Sequence, residues 1–421
     1  MKLHLQLLAA CLLFAHIAIA QIIHDTIPRA NDTVHNMKKM DSIGRGNNHV
    51  GSPKKKGIFN FLGSASSQNE KAHQGKLLIN PFFLPGYSPD IQFSLAGGAI
   101  LSFRTKQSDS LLPRSSVPIT LTYSSIHSFI ASAGLTTFWL HDKLRVNALI
   151  QYKVSRDAYY GVGYEKAINT SYPDSTVFWR SFFIFQVRPL WKLKKNLFAG
   201  INLDYNQNVL WKVNRHMAKD PNYLQTGQYI VNTGIGAILS YDSRDFPQNA
   251  SRGIYSTIIY TMYRKALGGN TNFQVLDFDN RFFLPLSTTR LRTLAINLRS
   301  RYDFGRPPFT SMISLGTSTD LRGFRFGQYR DLYTNYLITE YRHKFYKGGG
   351  RPSRFGFVTW TGIGAIGDDF RGSLFQRVLP DMGIGFRFEV QPRLNLRIDF
   401  GYAPSPKGSH VATYFNFLEA Y

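Results

Sequence analysis

The segment Thr319-Asp320-Leu321-Arg322-Gly323-Phe324 carries the most distinctive chemistry of the chain: a lone arginine, aimed by a glycine and flanked by apolar residues, in a long connection between two alternating stretches. A guanidinium is permanently charged and presents its donors in a planar fork, so in a confined space it needs a bidentate acceptor. Gly323 gives the backbone the freedom to turn tightly and point that fork. This is the chemistry of anchoring, and it suggests a loop folded back into a barrel. Other spacings lead nowhere. Gly362-Ile363-Gly364-Ala365-Ile366-Gly367 satisfies G-x-G-x-x-G, but no strand-to-helix unit surrounds it, and glycines inside strands more simply make room for an inserted loop. His127-Ser128 near a strand end is like outer-membrane hydrolases only superficially, since those need a serine, a histidine and an orienting polar group on one external face. The 11 histidines show no metal spacing. No catalytic, cofactor-binding or metal-ligating residues are assigned, and the chain is not read as an enzyme.

The elements that must position Arg322 are strands. A length of 421 residues would ordinarily mean two or three soluble domains, yet no helical periodicity, linker or repeat divides the chain. Aromatic content is high at 14 %, with 33 Phe and 23 Tyr, while mean hydropathy is only −0.20. Strands that are apolar on one side average out in this way, which fits a transmembrane β-barrel. Lys+Arg total 50 against 26 Asp+Glu, a formal charge of +24. Export and lumen-facing arginines such as Arg299, Arg301, Arg387 and Arg397 favour anionic lipopolysaccharide, an anionic solute or a basic periplasmic tail over nucleic acid.

Residues 1–20 read as a secretory signal peptide: Lys2 is their sole charge, an apolar run spans Leu5 to Ile19, and Ala18-Ile19-Ala20 precedes Gln21. A lipoprotein reading of Leu8-Ala9-Ala10-Cys11 leaves too short an apolar region before Cys11. Cleavage after Ala20 removes the one cysteine, and with it thiol chemistry. Residues 21–75 are polar, include Lys54-Lys55-Lys56, and read as a disordered periplasmic segment ahead of a barrel over 76–421.

From residue 76 on, the chain alternates with period two. Leu144, Val146, Ala148, Ile150 and Tyr152 oppose Lys143, Arg145, Asn147, Gln151 and Lys153, and the split recurs with Ile384, Phe386, Phe388 and with Leu396, Ile398, Phe400. The pattern predicts sixteen strands near 76–84, 91–104, 116–126, 129–141, 142–155, 174–190, 194–212, 229–242, 252–264, 272–286, 289–304, 331–346, 353–366, 380–390, 393–403 and 410–420. Long connections at 156–173, 213–228, 305–330 and 367–379 then fall on one end, and tight turns at His141-Asp142, Leu286 to Thr289 and Gln391-Pro392 on the other. Long external loops and short periplasmic turns are the outer-membrane pattern. The connections 105–115 and 243–251 are assigned to the periplasmic side although they are not tight.

Two further segments bear on kinship. Tyr241-Asp242-Ser243-Arg244-Asp245-Phe246-Pro247, closing with Arg252-Gly253, resembles the Y-D-x-R-D-x-P…G turn of the BamA/TamA superfamily of outer-membrane assembly and translocation barrels, also called the bacterial surface antigen family. Leu321-Arg322-Gly323-Phe324, three strands later, resembles that family's V-R-G-F/Y motif. The ending, with Phe415, Phe417 and Tyr421, resembles its aromatic C-terminal sorting signal. The resemblance covers about residues 230–421 and implies an all-β, antiparallel, sixteen-stranded transmembrane barrel whose sixth external loop enters the lumen, with Arg322 pairing to an interior carboxylate. The family's F-x-D-x-G acid is missing, since the matching stretch is Val358-Thr359-Trp360-Thr361-Gly362. Glu340, Glu389 and Asp399, all expected to face inward, are the candidate partners. Residues 21–75 are too few and too polar for a periplasmic substrate-binding (POTRA) domain, so a barrel-only member is expected.

The resemblance implies a role in outer-membrane protein assembly, translocation or envelope maintenance, in the outer membrane of a Gram-negative bacterium. Its implied partners are outer-membrane lipid and lipopolysaccharide, the barrel assembly machinery during its own insertion, and a periplasmic partner or client protein. A passive solute pore and a structural surface-antigen barrel are the alternatives.

Overall fold

The computed structural model describes residues 74–421 apart from short stretches at 110–111, 171–175, 290, 348–350, 376, 392–393 and 406–408. The expected signal peptide and nearly all of segment 21–75 lie outside the described residues. The strands are β1 Leu78–Ser88, β2 Gln92–Phe103, β3 Ser115–Ser124, β4 Phe129–Trp139, β5 Leu144–Ala158, β6 Val177–Lys194, β7 Leu197–Trp211 and β8 Tyr229–Asp242. They continue as β9 Gly253–Tyr263, β10 Phe273–Pro285, β11 Arg292–Gly305, β12 Tyr333–Lys347, β13 Arg351–Gly367, β14 Val378–Gln391, β15 Leu394–Ala403 and β16 His410–Phe417. Each pairs antiparallel with its neighbours, and β1 meets β16 to close a sixteen-stranded barrel.

Period-two alternation explains the two surfaces. Phe93, Ile150, Phe185, Ile384, Phe386 and Phe400 point outward and are exposed, as lipid-facing residues must be. Their strand neighbours point into the lumen, where Asp303, Glu340, Arg387, Arg397 and Asp399 are buried. Closure leaves almost no backbone group facing lipid without a partner. Among the described residues no helix is long and apolar enough to cross a membrane. The helices present, α1 Tyr164–Asn169, α2 Arg215–Lys219, α3 Pro221–Thr226 and α4 Gly372–Phe375, all belong to the long external connections.

Boundaries shift from expectation in three instructive places. The β6–β7 turn falls at Lys195-Asn196, where Asn196 takes the left-handed conformation (φ 63°), rather than between 190 and 194. β1 runs on through Pro85 to Ser88, pairing with β2 over its whole length from Leu78↔Ser102 to Ser88↔Gln92. β16 ends at Phe417 rather than 420: Leu418 turns left-handed (φ 68°), donates its N–H to Asn395 O at 2.8 Å, and sends Glu419 to Tyr421 into the interior. This early exit leaves the seam thin. β1 and β16 share the register position Tyr87↔Phe415, whereas β15 and β16 pair from Leu396↔Phe417 to Ala403↔His410.

Candidate functional site

The connection 306–332 between β11 and β12 is the centre of the molecule. Leu321, Phe324 and Tyr329 are fully buried in one cluster with Ile338 of β12, Val358, Trp360 and Ile366 of β13 and Leu379 of β14. Backbone meets backbone there. A Cβ placed on Gly401 would lie 2.6 Å from the carbonyl of Arg322, and one on Gly323 would lie 2.4 Å from the carbonyl carbon of Tyr402. A Cβ on Gly364 would lie 2.5 Å from Leu321 Cδ1, so the glycine run in β13 is the notch that receives Leu321.

Arg322 is completely excluded from solvent. It donates Nη1–H to Asp399 Oδ2 at 2.9 Å and Nη2–H to Glu340. Its guanidinium carbon lies 3.6 Å from the centroid of Trp360, which stands where the family's acid is missing. Trp360 donates Nε1–H to Asp381 Oδ2 at 2.8 Å, and Asp381 Oδ1 accepts the backbone N–H of Gly323. The loop is thus held through the arginine head and through the peptide that follows it. Burial alone would lower the affinity of Arg322 for its proton, but Glu340 and Asp399 more than offset this and hold it above the ordinary arginine value.

Both acceptors are shared. Glu340 Oε1 also takes Arg342 Nε–H at 2.8 Å. Asp399 also takes Arg387 Nη1–H at 2.6 Å and has Arg397 Nη1 at 3.4 Å. Arg387 reaches Glu419 at 2.9 Å, and Arg397 donates to Ser318 O at 2.7 Å. Alternating charges of this kind compensate one another inside a low-dielectric site.

Glu389, the third expected candidate, does not meet Arg322. It accepts from Lys344 near the periplasmic end of the lumen, because the register Glu389↔Asn395 puts it well below the row Glu340↔Trp360, Trp360↔Gly383, Gly383↔Gly401. The residues that sequence reasoning missed are Trp360 as a partner, Asp381 and Glu419. Asp381 carries the same inward parity as Arg387 on β14 and was legible on that ground.

The Tyr241–Gly253 segment forms a self-contained periplasmic turn. Asp242 accepts Arg244 Nη2–H at 2.8 Å, and Arg244 covers the ring of Tyr255 and donates to Pro247 O at 3.1 Å. Asp245 Oδ1 accepts the N–H groups of Phe246 (3.0 Å) and Ser251 (2.9 Å). Gly253 is left-handed (φ 109°), and any Cβ there would strike Ser243 O at 2.4 Å. Of the three aromatic residues of the expected sorting signal, Phe415 and Phe417 pair on the lipid face with Ile398 and Leu396. Tyr421 lies inside, its carbonyl accepting Arg342 Nη2–H at 3.0 Å.

Residues 115–410, well over half of the chain, match the Omp85 superfamily domain. The chain belongs to the Omp85 superfamily. No curated protein matches it. Among solved structures it is similar to BamA from Haemophilus ducreyi lacking POTRA domains 1-3, with 14 % identity and a TM-score of 0.54 over 81 % of this chain and 70 % of that one. It is also similar to CdiB from Acinetobacter baumannii, with 12 % identity and a TM-score of 0.54 over 81 % of this chain. The match spans 59 % of the CdiB chain, and at these identities the likeness is one of fold.

Proposed function

We propose that this Omp85-family barrel acts in the outer membrane by presenting the edge of β1 to an extended segment of a client protein, as an assembly or translocation factor. The single observation that carries this reading is the seam. β1 is paired with β2 along its whole length, while its other edge meets β16 at Tyr87↔Phe415. Where β16 stops at Phe417, the periplasmic half of β1 keeps main-chain groups with no strand beside them among the described residues, and an unpaired strand edge is a template for adding a strand. The buried connection around Arg322 supports an occupied lumen over a wide passive pore. The likeness to BamA and CdiB barrels agrees with either insertion or secretion.

The test uses the purified chain in liposomes. A denatured small outer-membrane barrel is added and its folding is followed by its heat-modifiable gel shift. We expect folding several-fold faster than in empty liposomes. Equal rates, together with large steady conductance, would instead support the passive-pore reading.

A further inference from the structure

β1 contains two prolines, and the register fixes which way their missing N–H groups point. Ser125 N donates to Phe93 O, so the backbone groups of odd-numbered β2 residues face β3 and those of even-numbered ones face β1. The antiparallel register Leu78↔Ser102 to Ser88↔Gln92 then turns the even-numbered residues of β1 toward β2 and the odd-numbered ones, Ile79, Pro81, Phe83, Pro85 and Tyr87, toward the seam. Proline has no N–H. Two of these five seam-facing positions therefore have no donor.

Continuing the register from Tyr87↔Phe415 toward the periplasm puts Pro85 opposite Phe417, Phe83 opposite Glu419 and Pro81 opposite Tyr421. The segment after Phe417 consequently has two berths. In one it would extend β16 along β1. In the other, which the structure shows, it turns at Leu418 into the lumen, where Glu419 accepts from Arg387 and from Asn395 Nδ2 and Tyr421 O accepts from Arg342.

We propose that Pro81 and Pro85 are positioning residues that decide between these berths. By withholding two of the donors that a continued β16 would need, they keep Glu419 to Tyr421 in the lumen and, among the described residues, the periplasmic half of the β1 edge vacant. The usual role of proline on an edge strand is to discourage pairing with other chains. Here the same deletion acts against the chain's own continuation. The inference deepens the client-docking reading, which supplies the use for a vacant edge, but the geometry of the seam stands without it.

The experiment is a cysteine cross-link in the full chain in detergent or liposomes. Phe82 and Ala420 would oppose each other in the continued register at a non-hydrogen-bonded pair, the closest approach in an antiparallel ladder. In the present fold Ala420 is instead buried with Phe283, Ala295 and Val358 of the lumen cluster. With Phe82→Cys/Ala420→Cys installed, Pro81→Ala/Pro85→Ala is expected to raise disulfide yield several-fold, while Pro118→Ala on β3 leaves it at the parent level. Equal yields with and without the β1 prolines, or a rise with Pro118→Ala as well, overturns the proposal. Amide exchange in the parent without the introduced cysteines checks it without any proline variant. Ile79 and Phe83 should exchange fast and Asn80 and Phe82 slowly; equal protection would overturn it. Failure of the client-folding assay with these results intact would sink the docking reading and leave the berth assignment standing.

Discussion

Arg322 and Arg330 lie eight positions apart in the same connection and both are buried, yet their surroundings are opposites. Arg322 ends on two carboxylates and an indole face. Arg330 ends on three backbone carbonyls, of Phe309 (3.3 Å), Ala158 (3.2 Å) and Gly327 (3.3 Å), between the rings of Tyr159 and Phe309. Burial pushes Arg330 down to about 10, while Arg322 is held above its ordinary value. Burial of a charge therefore says little about its contribution to stability. What matters is whether the neighbours compensate it, since an uncompensated charge bears the desolvation cost alone.

The largest expected effect comes from neutralising each arginine while keeping its stem. Arg322→Met leaves Glu340 and Asp399 with one cation fewer in a dry cluster and should cost about 3–5 kcal/mol. Arg330→Met leaves carbonyls without a donor but also removes an ill-compensated charge, so it should cost roughly 1 kcal/mol. Melting of the heat-modifiable band on a semi-native gel measures both. Equal losses would mean that the contrast in counterions is energetically empty. A smaller effect sharpens the Arg322 end: Trp360→Phe keeps a ring under the guanidinium but deletes the N–H to Asp381, and should cost about 1–3 kcal/mol. Trp360→Leu should cost more than Trp360→Phe. Equal costs would assign the role of Trp360 to its N–H alone.

How much of this could be read from the sequence follows from what period two does and does not encode. Parity gives the face of each strand residue, which is why Glu340 and Asp399 stood among the candidates. It does not give height along the barrel. Glu389 has the same parity as Asp381, but the register places it near the periplasmic rim beside Lys344. Height depends on stagger, which the long external connections leave open. The exit at Leu418 was hidden for another reason. The aromatic ending at Tyr421 makes the segment read as strand to 420 although the alternation of Phe415 and Phe417 breaks at Leu418-Glu419, and only Arg387 and Asn395 beside Glu419 show where the chain goes. Pro81 and Pro85 in the sequence say only that β1 lacks two donors; the register shows that these face the seam rather than β2.

The smallest expected effect lies at the external end of the loop, next to Arg330. Asp331 is 3 % exposed, and its Oδ1 accepts its neighbour's N–H, Leu332 N, at 2.9 Å. Among the described residues no ion pair forms at it. Burial, with Asp368 adding to it, pushes its carboxyl up to about 6 from an ordinary 3.8. A raised folded-state value means that the folded protein binds this proton more tightly than the unfolded chain does. The folded state therefore loses stability as pH rises from about 4 to about 6, and the loss is complete above that window. After screening by water at the external mouth, the change is on the order of 1 kcal/mol. The parent should thus melt higher near pH 4.5 than near pH 7 relative to Asp331→Asn, whose side chain cannot ionise. Arg322→Met should keep that pH-dependent difference, since its defect lies in the compensated cluster. If Asp331→Asn and the parent respond identically to pH, then the external end is compensated too and the contrast between the two ends of the loop fails.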